Sequence, residues 1–227
     1  MNELIKEEQE YCDNEKEERK RNFNMNYPIG VKVNHLTERE IEEVGEAFAY
    51  FEYAENELGM AFLYKDKETL KEYICGFTRA MLKGGFLYST SRNHEALIAF
   101  RHSDEKMNLA CVAELLKTFY RTMGIRGFLH FLKLMQSGGE SYEDTLKKAK
   151  KPYILVGMLA VRKKYQGQGY MRKVLNLAYA EGNRRNCPVV LDTDAVLKRD
   201  KYIHLGMKHI RTRKYAVGAY LYDLIKE

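Results

Sequence analysis

No stretch of this sequence approaches the roughly 18 consecutive apolar residues that a membrane-spanning helix needs. The first residues are charged where a secretory leader would be apolar, so the expectation is a cytoplasmic protein without a membrane partner. Cysteine is sparse: Cys12, Cys75, Cys111 and Cys187 are far apart, with no CxxC and no metal-ligand spacing. That pattern reads as reduced thiols and no bound metal. The GxxxxGK[ST] loop of nucleotide-triphosphate enzymes is also missing. Charge is plentiful, but 38 Lys and Arg against 32 Asp and Glu leave only +6. The basic segment Lys208 to Lys214 has no aromatic interleaving beyond Tyr215, so nucleic acid is not the expected partner. What is present, 45% hydrophobic and 31% charged residues over 227 positions, suits one globular domain with a sizeable core.

The chain is organised around Tyr153 to Val174. Tyr153 to Val161 is a continuous apolar run after Pro152, too short for a bilayer and suited to a strand buried on both faces. Gln166-Gly167-Gln168-Gly169 makes a turn, and Met171, Val174, Leu175 and Ala178 then recur at one-face helical spacing. A buried strand, a tight loop and a helix start aim free N–H groups and a helix dipole at one spot, which favours an anion. Arg162, Lys163, Lys164, Arg172 and Lys173 surround it, with no acidic residue between Arg162 and Lys173. The expected ligand is phosphorylated.

A dinucleotide fingerprint GxGxxG fits only in part, because Arg172 stands where the third glycine belongs. Gln166-Gly167-Gln168-Gly169-Tyr170-Met171 resembles the Q/R-x-x-G-x-G/A pyrophosphate loop of the GNAT acetyltransferase superfamily, with Met171 in place of the final small residue. Leu159-Ala160-Val161 resembles the end of that family's coenzyme-A-binding strand. About 35 residues later, Tyr202-x-x-x-Gly206-Met207 resembles the family's Y-x-x-x-G-F segment. The asparagine often found nearby is missing, since position 195 is Ala and position 198 is Lys.

The rest of the chain accommodates that fold. Residues 1–26 are charge-dense and read as an N-terminal arm or solvated helix. The globular part is expected over 27–227, with a first strand at Val31 to Leu36. Thr37 and Glu40 form a capping box before the face Ile41, Val44, Phe48, Phe51. A second helix carries Leu70, Tyr73, Ile74, Phe77 and Met81 and stops at Gly84-Gly85. Phe86 to Ser91 and Ala96 to His102 read as a hairpin. Residues 107–149 exceed a minimal domain of this family and read as a helical insertion before the cofactor-binding strand. Its stripes Leu109, Val112, Leu115, Leu116, Phe119, Met123 and Phe128, Phe131, Leu132, Met135, separated by Gly124 and Gly127, are a cap over the substrate pocket, extra core, or a homodimer surface. PVVL at 188–191 is a further buried strand, and His209 to Lys214 with Tyr215 to Ile225 is a closing β-pair. The resulting fold class is α/β: a mixed, mostly antiparallel sheet flanked by helices.

The resemblance implies transfer of an acetyl group from acetyl-CoA to a primary amine of a small molecule or peptide, by direct attack in a ternary complex. It places the cofactor on Leu159, Ala160, Val161, Gln166, Gly167, Gln168, Gly169, Tyr170, Met171 and Arg172. It makes the Leu159 N–H a donor to the tetrahedral oxyanion, and Tyr202 the acid that protonates the departing thiolate. A base is less evident, because Tyr153 to Val161 holds no carboxylate. Asp192, at the end of the neighbouring strand, is the candidate taken. Asp194 is the other carboxylate there, or a cap of the following helix; Glu140, Tyr153, His94 and His102 are weaker candidates. No cysteine in the motif region supports an acyl-enzyme. The missing strand carboxylate and Met171 leave a second reading, an acyl-CoA-binding regulatory module without catalysis.

Overall fold

The computed structural model describes residues 30–64, 66–216 and 218–227, so the arm at 1–26 and the domain start at Tyr27 lie outside the described residues. β1 (Val31–Lys32) is shorter than expected. Val33 still donates its N–H to Leu87 at 2.9 Å. Val33 and Leu36 then turn into the core and deliver the chain to its first helix. There the Thr37–Glu40 capping box forms as read, opening α1 (Glu38–Ala49). A 3-10 turn (Gly59–Leu63) leads to α2 (Lys67–Gly84). Asp66 caps its start, and Gly85, in the left-handed region at φ 73°, ends it. β2 (Leu87–Ser89) and β3 (Ala96–His102) are the hairpin.

Residues 107–149 form two helices. α3 (Leu109–Ser137) starts on an Asn108 cap and is broken at Gly124, and α4 (Tyr142–Lys148) opens on a Ser141–Asp144 capping box. The break at Gly124 falls where the two expected stripes part, but the first stripe does not hold to one face. Leu115 and Met123 pack inwards, whereas Leu109, Val112 and Leu116 face solvent and Cys111, Glu114 and Thr118 are buried. The small residues of α2 decide this orientation. A Cβ on Gly76 would stand 2.1 Å from the Thr118 hydroxyl, so α3 lies close there. Glu114 is drawn in by the Lys83 ammonium at 2.6 Å.

Gly124 has φ 64° and ψ 176°, a region that is open essentially to glycine alone. Nothing lies within 4 Å of a Cβ added there. Gly124→Ala is therefore expected to lower stability through backbone strain alone, by about 1–3 kcal/mol, read as a lower urea midpoint at unchanged m.

β4 (Ile154–Val161) lies beside β3, followed by α5 (Tyr170–Arg185), β5 (Val189–Thr193), α6 (Val196–His204), β6 (Lys208–Ala216) and β7 (Ala219–Lys226). The closing pair turns later than expected, with Tyr215 and Ala216 still on β6. The sheet order is β1-β2-β3-β4-β5-β7-β6. Among the described residues, only β4–β5 is a parallel pair. Alternation sorts the side chains of β3 to two cores. Leu97 and Ala99 join α1 and α2, while Ala96, Ile98 and Phe100 join α5.

Candidate functional site: a cleft between two diverging strands

β4 and β5 are paired only at Ile154–Val189 and Leu155–Val190. β4 also carries a bulge, since Ala99 opposes Met158 while Phe100 opposes Val156, leaving Gly157 unmatched. Before the bulge Ile154 and Val156 face α5; after it Met158 and Ala160 face α1 and α2, and Leu159 and Val161 turn towards α5. The strand is thus covered on both sides, as its apolar run implies, but Leu159 and Val161 are only half-buried.

The same shift re-aims the backbone. Arg162 donates its N–H to the Glu95 carbonyl at 3.1 Å. By antiparallel alternation, Leu159 and Val161 therefore point their N–H and C=O groups away from β3, into the gap left by β5. The Val161 carbonyl is taken by the Gln166 side chain at 3.1 Å. A strand edge inside a protein, unpaired and facing a gap, is a template for an extended ligand.

That gap is a cavity of about 630 Å³. Leu159, Ala160, Val161, Gln166, Gly167, Gly169, Tyr170 and Met171 line one end, whereas Gln168 and Arg172 lie off it. Gly167 and Gly169 have φ of 74° and 76°. A Cβ would meet nothing at either, so conformation rather than space requires glycine. Among the described residues, the loop N–H groups of Gly167, Gln168 and Gly169 donate to no protein acceptor. They adjoin the free N–H groups of the first turn of α5. Gln168 braces the loop through the Lys164 carbonyl at 3.0 Å. Met171 packs on the core beside α5, which accommodates its bulk.

Arg162 departs from the expected basic cluster. It is 6% exposed and turned inwards, with Nε 2.6 Å from Glu43 and Nη1 3.2 Å from Glu40 and 2.9 Å from the Asn93 carbonyl. Through Nε and Nη1 it ties the end of β4 to α1. Lys163, Lys164, Arg172 and Lys173 remain exposed around the loop.

The same cavity is also lined by titratable side chains. Tyr202 lines it and is buried; burial first, then the neighbouring Asp194, raises its pKa and keeps the phenol protonated. Gly206, at φ 96°, lets α6 stop just beyond it. Asp192 stands on the last turn of β5, where half of its side chain remains exposed to the cavity. The protein around it raises its pKa, an effect that Arg213 at 2.5 Å opposes without cancelling. Burial alone would raise Asp194 too, but Lys198 at 2.7 Å, the Tyr53 hydroxyl at 2.5 Å and the Met60 N–H at 2.9 Å hold it below the usual range. Asp194 does not cap α6: Glu57 accepts from the Val196 N–H at 2.8 Å instead.

The weaker candidates are elsewhere, for none of them lines the cavity. Glu140 pairs with Lys148, Tyr153 donates to Glu143, His94 sits on Glu40 and His102 on Asp104. Three contributors were not legible as site residues in the sequence, Tyr53, Lys198 and Arg213, whereas Phe131 belongs to the insertion that one reading made a cap over the pocket. Tyr53 lies in a stretch without periodicity, and Arg213 reaches Asp192 only because β6 and β5 flank β7.

Comparison with known proteins follows the same lines. The family described as "Acetyltransferase (GNAT) family" matches residues 31–199. No curated protein matches the sequence. Among solved structures, arylalkylamine N-acetyltransferase 2 from Aedes aegypti is similar at a TM-score of 0.50 and 12% identity, over 87% of this chain and 97% of that one. A polyamine N-acetyltransferase from Drosophila melanogaster is similar at 0.47 and 15%, over 87% and 98%. An acetyltransferase from Agrobacterium tumefaciens is 26% identical over 33% of this chain and 56% of its own, with a TM-score of 0.31. At such identities the likeness concerns the fold.

Proposed function

This chain belongs to the GNAT acetyltransferase family, and on that premise we propose that it transfers an acetyl group from acetyl-CoA to a primary amine, by direct attack within a ternary complex. One observation carries the reading: a loop with open N–H groups, an unpaired strand edge and a buried protonated tyrosine all line one cavity. The pyrophosphate is assigned to the N–H groups from Gly167 to Met171 and the positive end of α5. Lys163, Lys164, Arg172 and Lys173 supply counter-charge, each worth about 0.3–1 kcal/mol at an exposed site. The pantetheine lies along β4 as an added strand, paired with Leu159 and the Val161 N–H.

The amine nitrogen attacks the thioester carbonyl, and the oxyanion that forms is met by the Leu159 N–H. The intermediate collapses with cleavage of the C–S bond, and Tyr202 gives its proton to the leaving sulfur. An alkylamine is almost wholly protonated at neutral pH and must lose a proton before attack. Asp192 is the assigned acceptor, directly or through water, and its raised pKa makes it a better base than an ordinary carboxylate. Because the ionised form is the base, activity falls as pH drops through a pKa lying above the usual aspartate range.

Acetyl-CoA at about 100 times its Kd is expected to raise the Tm by about 5–10 °C, and free thiol should then appear when a primary amine is added. Absence of any shift with acetyl-CoA or CoA sinks the acyl-CoA site. A shift without thiol release from any of a broad panel of amines selects the regulatory module instead.

A further inference from the structure

The acceptor end of the cavity is apolar to a degree that acetyl transfer by itself does not require. Phe48 and Phe51 come from the end of α1, Phe62 and Leu63 from the 3-10 turn, and Phe131 and Met135 from α3 beyond its break at Gly124. Phe131 is held in place by other rings. Its centroid is 5.7 Å from that of Phe119 and 6.5 Å from that of Phe128, and Phe119 packs at 5.6 Å on Tyr73 of α2. The second half of α3 thus closes the cleft with a braced aromatic wall.

The charges of this end are already used. Asp194 holds Lys198, whose ammonium also lies 4.3 Å from the centre of the Phe51 ring and 5.1 Å from that of Tyr53. Asp192 holds Arg213. Lys201 adds a further positive charge to the lining. Among the described residues, no carboxylate that lines the cavity is without an internal cation. A polycationic acceptor would bring its second ammonium towards Lys198 and Lys201 with no free carboxylate to balance it, which is costly in a desolvated site. A ring or branched alkyl group would instead find the apolar wall it needs.

We propose that the acceptor is an amine bearing one positive charge and an aromatic or comparably bulky apolar body, seated against Phe131, Met135 and Phe62 with its nitrogen towards Asp192. This rests on the acetyl-transfer reading of the same cavity. The insertion is then the device that sets specificity, because it supplies two of the three contacts.

Binding tests the proposal without turnover. The full chain, saturated with CoA, is titrated calorimetrically with 2-phenylethylamine, with a short peptide beginning with Phe, and with spermidine. One of the first two is expected to bind at least about ten times more tightly than spermidine, and which one does so tells whether the body is a small molecule or a chain terminus. Phe131→Ala should weaken that binding by about tenfold with the CoA affinity unchanged; Met135→Ala, a smaller excision, serves if Phe131→Ala does not fold. Spermidine binding as tightly as both aromatic amines overturns the proposal, as does an amine affinity indifferent to both substitutions. A protein that binds 2-phenylethylamine in this pattern but releases no thiol from acetyl-CoA refutes the transfer reading and leaves the acceptor class standing.

Discussion

Tyr202→Phe is expected to lower kcat by about 10²–10³-fold, the range of a lost general acid, while the KM for acetyl-CoA stays within about twofold. The ring is 8% exposed and packs with the α5-side core, so Phe fills the same space. Among the described residues the hydroxyl makes no hydrogen bond, so its removal deletes no structural contact. Stability should therefore change by less than about 1 kcal/mol, and the rate reports on chemistry. Burial and Asp194 keep the phenol protonated far above neutrality, which suits a group whose task is to give a proton to a thiolate. The product amide forms with or without that proton, but the sulfur leaves more slowly. An unchanged kcat in the thiol-release assay would reduce Tyr202 to a packing residue.

Arg213→Met should be the most damaging single change to the fold, at about 3–5 kcal/mol in urea unfolding. Arg213 is 7% exposed and reaches from β6 across β7. Its Nε donates to Asp223 at 2.9 Å, and its Nη2 approaches Asp192 at 2.5 Å. Its Nη1 donates to the Tyr215 hydroxyl at 2.5 Å. Asp223, 2% exposed, also accepts the Tyr142 N–H at the start of α4, at 2.9 Å. Methionine keeps much of the volume but leaves Asp223 as an uncompensated buried charge, and the loss follows from that rather than from missing contacts. The double variant Arg213→Met, Asp223→Asn should recover a substantial part of the loss, because a neutral amide costs far less to bury than a carboxylate. A cost below about 1 kcal/mol for the single change would mean that water reaches Asp223 and the pair is worth only what a surface ion pair is worth.

The difference between what could be read early and late follows the range of the interactions. The capping box at Thr37 and Glu40, the stop at Gly85 and the loop from Gln166 to Gly169 are local, and each formed where its residues stand. Arg162 shows the limit. By sequence it belongs to a basic cluster around the loop. In space it turns inwards, because Glu40 and Glu43 of α1 come within reach only once the sheet is built. The first stripe of α3 failed for a related reason. Hydrophobic periodicity says that a helix has a preferred side but not which neighbour it meets, and Gly76 of α2 lets Thr118 approach closely.

By itself the sequence determined the order of strands and helices, the glycine loop at the N-terminus of a helix, and the membership in a family that its two motifs suggest. These depend on periodicity, capping and positive φ, all set by residues a few positions apart. Only the tertiary structure decided which distant side chains line the cavity beside that loop and strand. Asp192 owes its raised pKa to desolvation by the protein around it, against the opposing charge of Arg213, 21 residues away. Asp194 is occupied by Tyr53, 141 residues away. Phe131 becomes a wall of the site because the chain bends at Gly124. Such pairings arise when a bulge at Gly157 and two diverging strands open a cavity between segments that no local pattern connects.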